Sequence, residues 1–450
     1  MVSVLAKLKI KIAENPPLLL LVVYASVILV STVVLMLPVS TQDGRATHFI
    51  DAFFTSASAF CVTGLVVEPT YAYWSLFGQC FILLVIQLGG LGVMTIVAFI
   101  GILTNQKLEG SQRRIMQEAT NSPYLGDLSK LIIFILKSTF LIEGIGVVLL
   151  AFSFVPIFGF VRGIWYAVFH SISAYCNAGF DLLGDESLCA YNSHHGMLLT
   201  IAALIIIAGL GFRVYIDVLK TRHLKTLRLH SKIVLVSTAV LIAGGTLLFL
   251  LTEWSNPETI GAMSIGDKIM QAFFQSVTPR TAGFAAIDQA KLTHASAFAT
   301  IILMFIGGSP AGTAGGIKTT TLVTLFALLR SLLRNKDEIV IFKRRLSTDI
   351  VKKSAVIFFI SLLWCLIVSF FLMIFEKNIP PLDLMFEAFS AFATAGLTRG
   401  ITADLHTVSK VLISMTMLFG KVGILGMVFA FARTKRKVNF HEAEEKIIIG

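Results

Sequence analysis

Four segments of this chain close in the same way: AFFTSASAFCVTGL ends at Leu65, AVFHSISAYCNAGF at Phe180, AFFQSVTPRTAGF at Phe284 and MFEAFSAFATAGL at Leu397. Aligned on Gly64, Gly179, Gly283 and Gly396, they share Phe54, Phe169, Phe273 and Phe386 ten residues earlier, without a gap. Ala59, Ala174, Thr278 and Ala391 follow, each with a ring residue after it: Phe60, Tyr175, Pro279 and Phe392. The residues just before each glycine are Val62 and Thr63, Asn177 and Ala178, Thr281 and Ala282, Thr394 and Ala395. Their side chains differ, so any chemistry common to the four copies belongs to the main chain. Backbone carbonyls can replace the water shell of a cation without a fixed charge that would hold it too tightly. Glycine permits the dihedrals that an extended strand needs at a narrow axis. A helix ending at such a strand also points the negative end of its dipole at the cation. The expected chemistry is coordination of a dehydrated cation by these four strands. Glycines that merely let membrane helices pack closely are the plain alternative; a four-fold recurrence with aromatics in register favours the ring.

The glycines lie 115, 104 and 113 residues apart, a domain-sized period unlike that of a solenoid array. Hydrophobic residues make up 56% of the chain and charged residues 14%, and the mean hydropathy is +0.84. That composition reads as a polytopic membrane protein. Apolar stretches long enough to cross a hydrocarbon core run over Leu18 to Leu37, Leu76 to Thr104, Leu131 to Phe158, Met197 to Tyr215, Ile233 to Leu251, Phe298 to Leu329, Val356 to Phe375 and Val408 to Phe431. Each glycine motif falls between the two members of a pair and is too short to cross alone. It reads as a re-entrant helix followed by a loop, tolerated at membrane depth where it is buried or lines water. The fold expected is an all-α polytopic membrane protein of four helix, pore helix, helix repeats with pseudo-four-fold symmetry about one central pore. The repeats span 1–105 (pore motif 52–65), 106–220 (167–180), 221–335 (272–284, with a broken second span at 307–318) and 336–450 (385–397).

Lys and Arg number 37, and 25 of them lie in residues 1–15, 104–130, 220–232, 330–353 and 433–450. These are the two ends and the links between repeats, so the positive-inside rule places them, and both termini, in the cytoplasm. The re-entrant segments then enter from outside. Basic loops beside anionic lipid account for the net charge of +11 without nucleic acid. Lys7, Lys9 and Lys11 precede a run of full spanning length that ends at Pro38 without a cleavage pattern, so it reads as the first span rather than a signal peptide. Cys61, Cys80, Cys176, Cys189 and Cys365 have no CxxC spacing, which argues against a disulfide framework or a zinc site.

In the second span of repeat three, GGSPAGTAGGIK places Gly307, Gly308, Pro310, Gly312, Gly315 and Gly316 within twelve residues. No continuous helix survives that density of breakers. The span opens into a loop inside the membrane, a feature that recurs where ions are handled. Ser309, Thr313 and Thr319 would line the path below the glycine strands.

On the four glycine motifs, and above all on TPRTAGF and GGSPAGTAGGIK, the chain resembles the channel-forming subunit of the Trk/Ktr/HKT superfamily of potassium transporters, most closely the Ktr type. The resemblance covers essentially the whole chain. It implies potassium selected at Gly64, Gly179, Gly283 and Gly396, with the residues before each glycine as carbonyl donors. It implies a gate in Gly312, Thr313, Ala314, Gly315 and Gly316. The family most often carries arginine at the position of Lys421; here the charge survives without the bidentate geometry. It also implies a homodimer, a separate cytosolic nucleotide-binding ring of the RCK type, and an interface role for the tail Val438 to Gly450. The links of 13 to 27 residues are too short to form a nucleotide-binding domain themselves, so nucleotide would act only through that partner. No cofactor is expected on this chain; potassium is the cargo. Some members couple potassium to sodium or protons, so symport with alternating access stays open beside a pore, although four repeats in one orientation suit a pore. No nucleophile and base set, metal constellation or phosphate loop points to an enzyme.

Other residues carry narrower expectations. Arg280 is placed to support the third strand by hydrogen-bonding its carbonyls from behind. Lys318 either belongs to the loop or snorkels to the cytoplasmic face. Asp51 and Asp383 are N-terminal caps or dipole partners of their re-entrant helices. His170 is a packing residue. Asp181, Asp185 and Glu186 lie at the outer mouth. QLGGLG (Gln87 to Gly92) and GLGF (Gly209 to Phe212) are close-packing glycines.

Overall fold

The computed structural model describes residues 16–92, 95, 128–184, 187–221 and 223–423. Asp185, Glu186, the basic N-terminal segment, the 104–127 link and the C-terminal tail lie outside the described residues. Long apolar helices open each repeat: α1 (Pro16–Leu35), α4 (Leu128–Phe158), α8 (Leu229–Glu253) and α12 (Thr348–Phe375). Each has the length and composition to cross a membrane, yet only 22 to 33% of each spanning window is buried. The rest presents large apolar side chains outward, among them Phe140, Phe152, Leu251, Phe359 and Phe370. Such surface has no place in water but suits lipid, so these four form the outer wall.

Inside the wall stand the re-entrant helices α2 (Phe49–Cys61), α5 (Phe160–Cys176), α9 (Ile265–Val277) and α13 (Pro381–Ala393). Three have thirteen residues and α5 has seventeen, which makes helices of about 20–26 Å, too short to cross a core of about 30 Å. Each packs on the long helix of its own repeat. Following them are α3 (Leu76–Leu91), α6 (His195–Leu210) with α7 (Phe212–Thr221), α10 (His294–Ile306) with α11 (Thr319–Leu333), and α14 (Thr407–Val422). Each first member of this set packs on the pore helix of the next repeat: α3 on α5, α6 on α9, α10 on α13, and α14 back on α2. The last contact closes the circle. The same helices also press on the pore helix of their own repeat, where close approach depends on the absence of a side chain: a Cβ at Gly420 would collide with Phe392 O, and one at Gly89 with Phe60 O.

The second spans differ from expectation. Only the third was expected to break, yet every one of these helices ends at a glycine with positive φ: Gly92 (78°), Gly211 (87°), Gly307 (61°) and Gly423 (84°). At Gly211 the chain turns by 89° between α6 and α7. Single glycines suffice because each needs only one left-handed residue to stop the hydrogen-bond ladder. In QLGGLG, Gly89 and Gly90 are close-packing residues as expected, whereas Gly92 terminates the helix. Between α11 and α12 a short antiparallel hairpin pairs Val340–Ile341 with Arg344–Arg345. Its turn residues Phe342 and Lys343 both have positive φ.

Candidate functional site

The pore helices end alike in repeats one, two and four. Val62, Asn177 and Thr394 adopt the left-handed conformation (φ 59°, 58° and 51°). The next residue donates its N–H five residues back: Thr63 to Ser58 O at 2.8 Å, Ala178 to Ser173 O at 2.7 Å and Ala395 to Ser390 O at 2.8 Å. This is the Schellman ending, which satisfies carbonyls a helix would otherwise leave open. Left-handed geometry at non-glycine residues, two of them the β-branched Val62 and Thr394, costs on the order of 1–3 kcal/mol each. Repeat three reaches the same end by another route. Pro279 cannot donate to the ladder, the helix stops at Val277, and Ala282 N bonds Thr278 O at 3.0 Å. Thr281 (φ 70°) nevertheless matches the left-handed residue of the other three, two before its glycine.

All four glycines then have positive φ: Gly64 94°, Gly179 72°, Gly283 78° and Gly396 79°. Each abuts the residue before the glycine of the next repeat. A Cβ on Gly64 would fall 2.5 Å from Ala178 O, on Gly179 2.8 Å from Ala282 O, and on Gly283 3.1 Å from Ala395 O. On Gly396 it would fall closer still to Thr63 O, which closes the order one, two, three, four, one. Glycine is thus required twice at each position, by φ and by the neighbour's carbonyl. Above this ring an outer vestibule of about 580 Å³ touches all four glycines. Asp181, Glu258, Asp288 and Lys291 are among its lining residues.

Hydroxyls on the pore helices brace the strands. Ser58 Oγ accepts from Gly64 N at 3.1 Å, Ser173 Oγ donates to Phe180 O at 2.6 Å and Thr278 Oγ1 to Phe284 O at 2.6 Å. His170 is a buried packing residue, as expected, with Nδ1 2.7 Å from Tyr166 O and Nε2 3.4 Å from Leu182 N. Arg280 does not follow expectation. It is buried, but its Nη2 donates to Thr238 Oγ1 on α8 at 3.1 Å, and among the described residues it makes no hydrogen bond to the third strand's carbonyls. Its side chain turns outward toward the polar group that its own repeat's first helix supplies.

Asp51 and Asp383 lie in the first turns of α2 and α13 rather than at the caps, which are His48 and Pro380. Asp51 accepts from Lys410 at 3.0 Å across the seam between repeats four and one. Asp383 accepts from Arg399 Nε at 2.5 Å, and the same guanidinium donates to Gln289 O (2.7 Å) and Ala290 O (2.8 Å) of repeat three. A carboxylate near a helix N-terminus is favoured by the dipole as well as by its partner. Beside this seam, burial and then the Asp51 charge hold the Glu68 carboxyl above its ordinary value.

Beneath the ring lies the loop between α10 and α11. Ser309 N donates to Gly209 O at 3.0 Å and Phe212 N to Ala311 O at 3.1 Å, so the loop is pinned to the break in α6–α7. Thr313 Oγ1 reaches Tyr175 O at 3.4 Å. A Cβ on Gly315 would collide with Ala393 O, so the loop touches the pore-helix ends of both repeats two and four. Ser309 and Thr319 hydroxyls, expected to line the path, bond each other at 2.9 Å. Lys318 folds back to donate to Ala314 O and, at 3.1 Å, to Gly315 O; it belongs to the loop and does not snorkel. Lys421 lies near Cys61, Cys176 and Lys318, close enough to couple electrostatically to each. Among the described residues no hydrogen bond joins it to the loop. Two buried acidic groups escaped sequence reasoning: Glu387, fully buried in α13, and the Glu143 carboxylate on α4, which accepts from Gln87 at 3.0 Å. A charged residue inside an apolar membrane segment is the signal that could have found both.

The family model described as TrkH, cation transport protein, matches residues 18–441. The chain belongs to this family. It is 40% identical over 422 residues to the potassium/sodium uptake protein NtpJ of Enterococcus hirae, covering 92% of this chain and 93% of that one. It is 40% identical over 436 residues to the Ktr system potassium uptake protein B of Bacillus subtilis, covering 97% of each. The crystal structure of the potassium transporter TrkH from Vibrio parahaemolyticus superposes with a TM-score of 0.70 at 19% identity, covering 92% of this chain and 84% of that one. That likeness concerns the fold, four helix, pore helix, helix repeats, which this chain shares. It is a multi-pass membrane protein of a cation transport family.

Proposed function

We propose that this chain takes up potassium across the plasma membrane through the pore enclosed by its four repeats, assigned to 1–105, 106–220, 221–335 and 336–450. The selectivity filter consists of Val62, Thr63 and Gly64; Asn177, Ala178 and Gly179; Thr281, Ala282 and Gly283; and Thr394, Ala395 and Gly396, acting through backbone carbonyls. The observation that carries this reading is the closed circle in which each glycine meets the carbonyl of the next repeat. Two relatives named for potassium uptake at 40% identity support the choice of ion. Arg280 buttresses the third strand through α8 rather than through the strand's carbonyls.

The loop holding Gly312, Thr313, Ala314, Gly315 and Gly316 acts as the gate, with Lys421 adding positive charge below the filter. It closes the path while Ser309 and Ala311 stay bonded to the Gly209 to Phe212 break, and it opens when α7 moves. The basic links support a cytoplasmic side for both termini and α7, where a nucleotide-binding ring of the RCK type would dock and where a second copy would complete a dimer. The test is potassium uptake in a cell lacking its own uptake systems, with and without the ring subunit. Uptake that is strong with the ring and weak without it supports this account; equal uptake contradicts the regulated gate.

Sodium coupling is a second reading, favoured by the relative named for potassium and sodium together. It predicts that potassium uptake falls steeply when external sodium is replaced by choline, whereas an uncoupled pore keeps its rate.

A further inference from the structure

Glu387 is a carboxylate with none of its surface exposed, set in α13 nine residues before Gly396. Among the described residues no cation neutralises it through a direct contact. Instead its Oε2 accepts from Thr398 Oγ1 at 2.8 Å and its Oε1 from Thr402 Oγ1 at 2.5 Å. Thr402 Oγ1 also lies 2.9 Å from Thr398 Oγ1, so the two hydroxyls and the carboxylate form one closed cluster. Thr398 Oγ1 in turn accepts from Gly400 N at 3.2 Å. Thr398, Gly400 and Thr402 line the outer vestibule together with Gly396. The carboxylate therefore fastens to the pore helix the stretch of chain that leaves the ring at Gly396.

Repeats two and three carry struts of the same kind built from other residues. His170 meets Leu182 N at 3.4 Å. Gln275 and Gln289 exchange amide hydrogen bonds at 2.8 and 3.0 Å. Among the described residues repeat four's is the only strut that rests on a carboxylate. Burying such a group is costly unless hydrogen bonds hold it, and hydrogen bonds to a charged acceptor are the strong ones. It also sits behind the tightest point of the circle, where Gly396 meets Thr63 O.

We infer that Glu387 is a positioning residue for ion selection: through Thr398 and Thr402 it fixes the outer end of the fourth strand, and with it the width of the ring. The inference rests on the reading of the ring as the filter. It concerns selectivity rather than passage as such, because the strut touches neither the loop below nor the ring's carbonyls.

The experiment measures potassium and sodium uptake by Glu387→Ala, Glu387→Gln, Thr398→Val/Thr402→Val and Gly396→Ser in the full-length protein, at matched membrane abundance. The expected result is that Glu387→Ala lowers the potassium over sodium preference at least ten-fold, chiefly by admitting sodium, while Glu387→Gln keeps most of the preference by retaining one acceptor oxygen. The double threonine variant should match Glu387→Ala, and combining the two should add little. If Glu387→Ala fails to reach the membrane, the threonine variant carries the test. The inference is overturned if the preference is unchanged in Glu387→Ala and the threonine variant while Gly396→Ser destroys it. It is also overturned if potassium and sodium uptake fall together in proportion. An unchanged preference in Gly396→Ser would overturn the filter reading itself and this inference with it.

Discussion

The glycine ring and the loop at 307–318 are both irregular backbone at membrane depth, but they are held in opposite ways. In the ring, main chain of one repeat abuts main chain of the next all the way round, so no strand can shift without displacing its neighbour. The loop belongs to one repeat; it abuts main chain of repeats two and four at Ala208 O and Ala393 O, but what pins it across the break in α6–α7 is a few discrete hydrogen bonds, Ser309 N to Gly209 O and Phe212 N to Ala311 O, with Thr313 Oγ1 to Tyr175 O. Packed interiors are rigid because contacts on every side must give together, whereas a hydrogen-bonded tether opens at a net cost of about 1 kcal/mol per bond. On the proposed reading the first region keeps its dimensions and the second changes place, so selection resides in the first and gating in the second.

That contrast can be broken most forcefully from the loop side. Deleting Gly312 to Gly316 removes the plug but no part of the ring, so potassium uptake should rise about ten-fold, equivalent to some 1.4 kcal/mol, with the potassium over sodium preference intact. Tracer flux into cells at matched expression reads both, and lost selectivity would mean the two regions are not separable. Next in size is Gly420→Ala, which forces a methyl into Phe392 O at the seam between α14 and α13. Overpacking of this kind costs typically about 1–3 kcal/mol, so the thermal transition in detergent should drop by several degrees with uptake reduced. Lys318→Met should act more mildly: two tethers to Ala314 and Gly315 disappear, and basal uptake without a regulatory partner should rise two- to five-fold, whereas no change would make Lys318 irrelevant to the loop. Least affected should be Lys410→Met, which breaks the Asp51 pair at the outer seam. A partly exposed pair contributes about 0–1 kcal/mol, so the thermal transition should move by a degree or two and selectivity not at all.

Much of this architecture was legible in the sequence because repetition carried it. Four in-register glycines fixed the expectation of a ring, and apolar length located the outer helices. What escaped lay in single residues whose partners are remote. One glycine in an apolar run gives no warning that it will end a helix, so the breaks at Gly92, Gly211 and Gly423 went unread while the dense cluster at Gly307 to Gly316 did not. Spacing placed Arg280 beside the third strand but could not say which way its side chain turns; Thr238, 42 residues earlier, takes it. The left-handed residues Val62, Thr281 and Thr394 are β-branched types that local propensity disfavours there, and the helix-ending hydrogen bonds together with the crowding of the ring hold them in that conformation. Glu387 is a charge in an apolar segment, a signal that passed unused, and its threonine partners follow the glycine and belong to no motif.

The central claim is that glycine at the ring selects the ion because the next repeat's carbonyl fills the space of a side chain. Serine substituted separately at Gly396 and Gly283 tests it most directly, with potassium and sodium uptake measured side by side. The clash is most severe at Gly396, against Thr63 O, and mildest at Gly283, where a Cβ would lie 2.8 Å from Gly179 Cα and 3.1 Å from Ala395 O. The account predicts that both variants lose potassium preference and that Gly396→Ser loses more. Wild-type preference in both, in protein that reaches the membrane in normal amount, would contradict it.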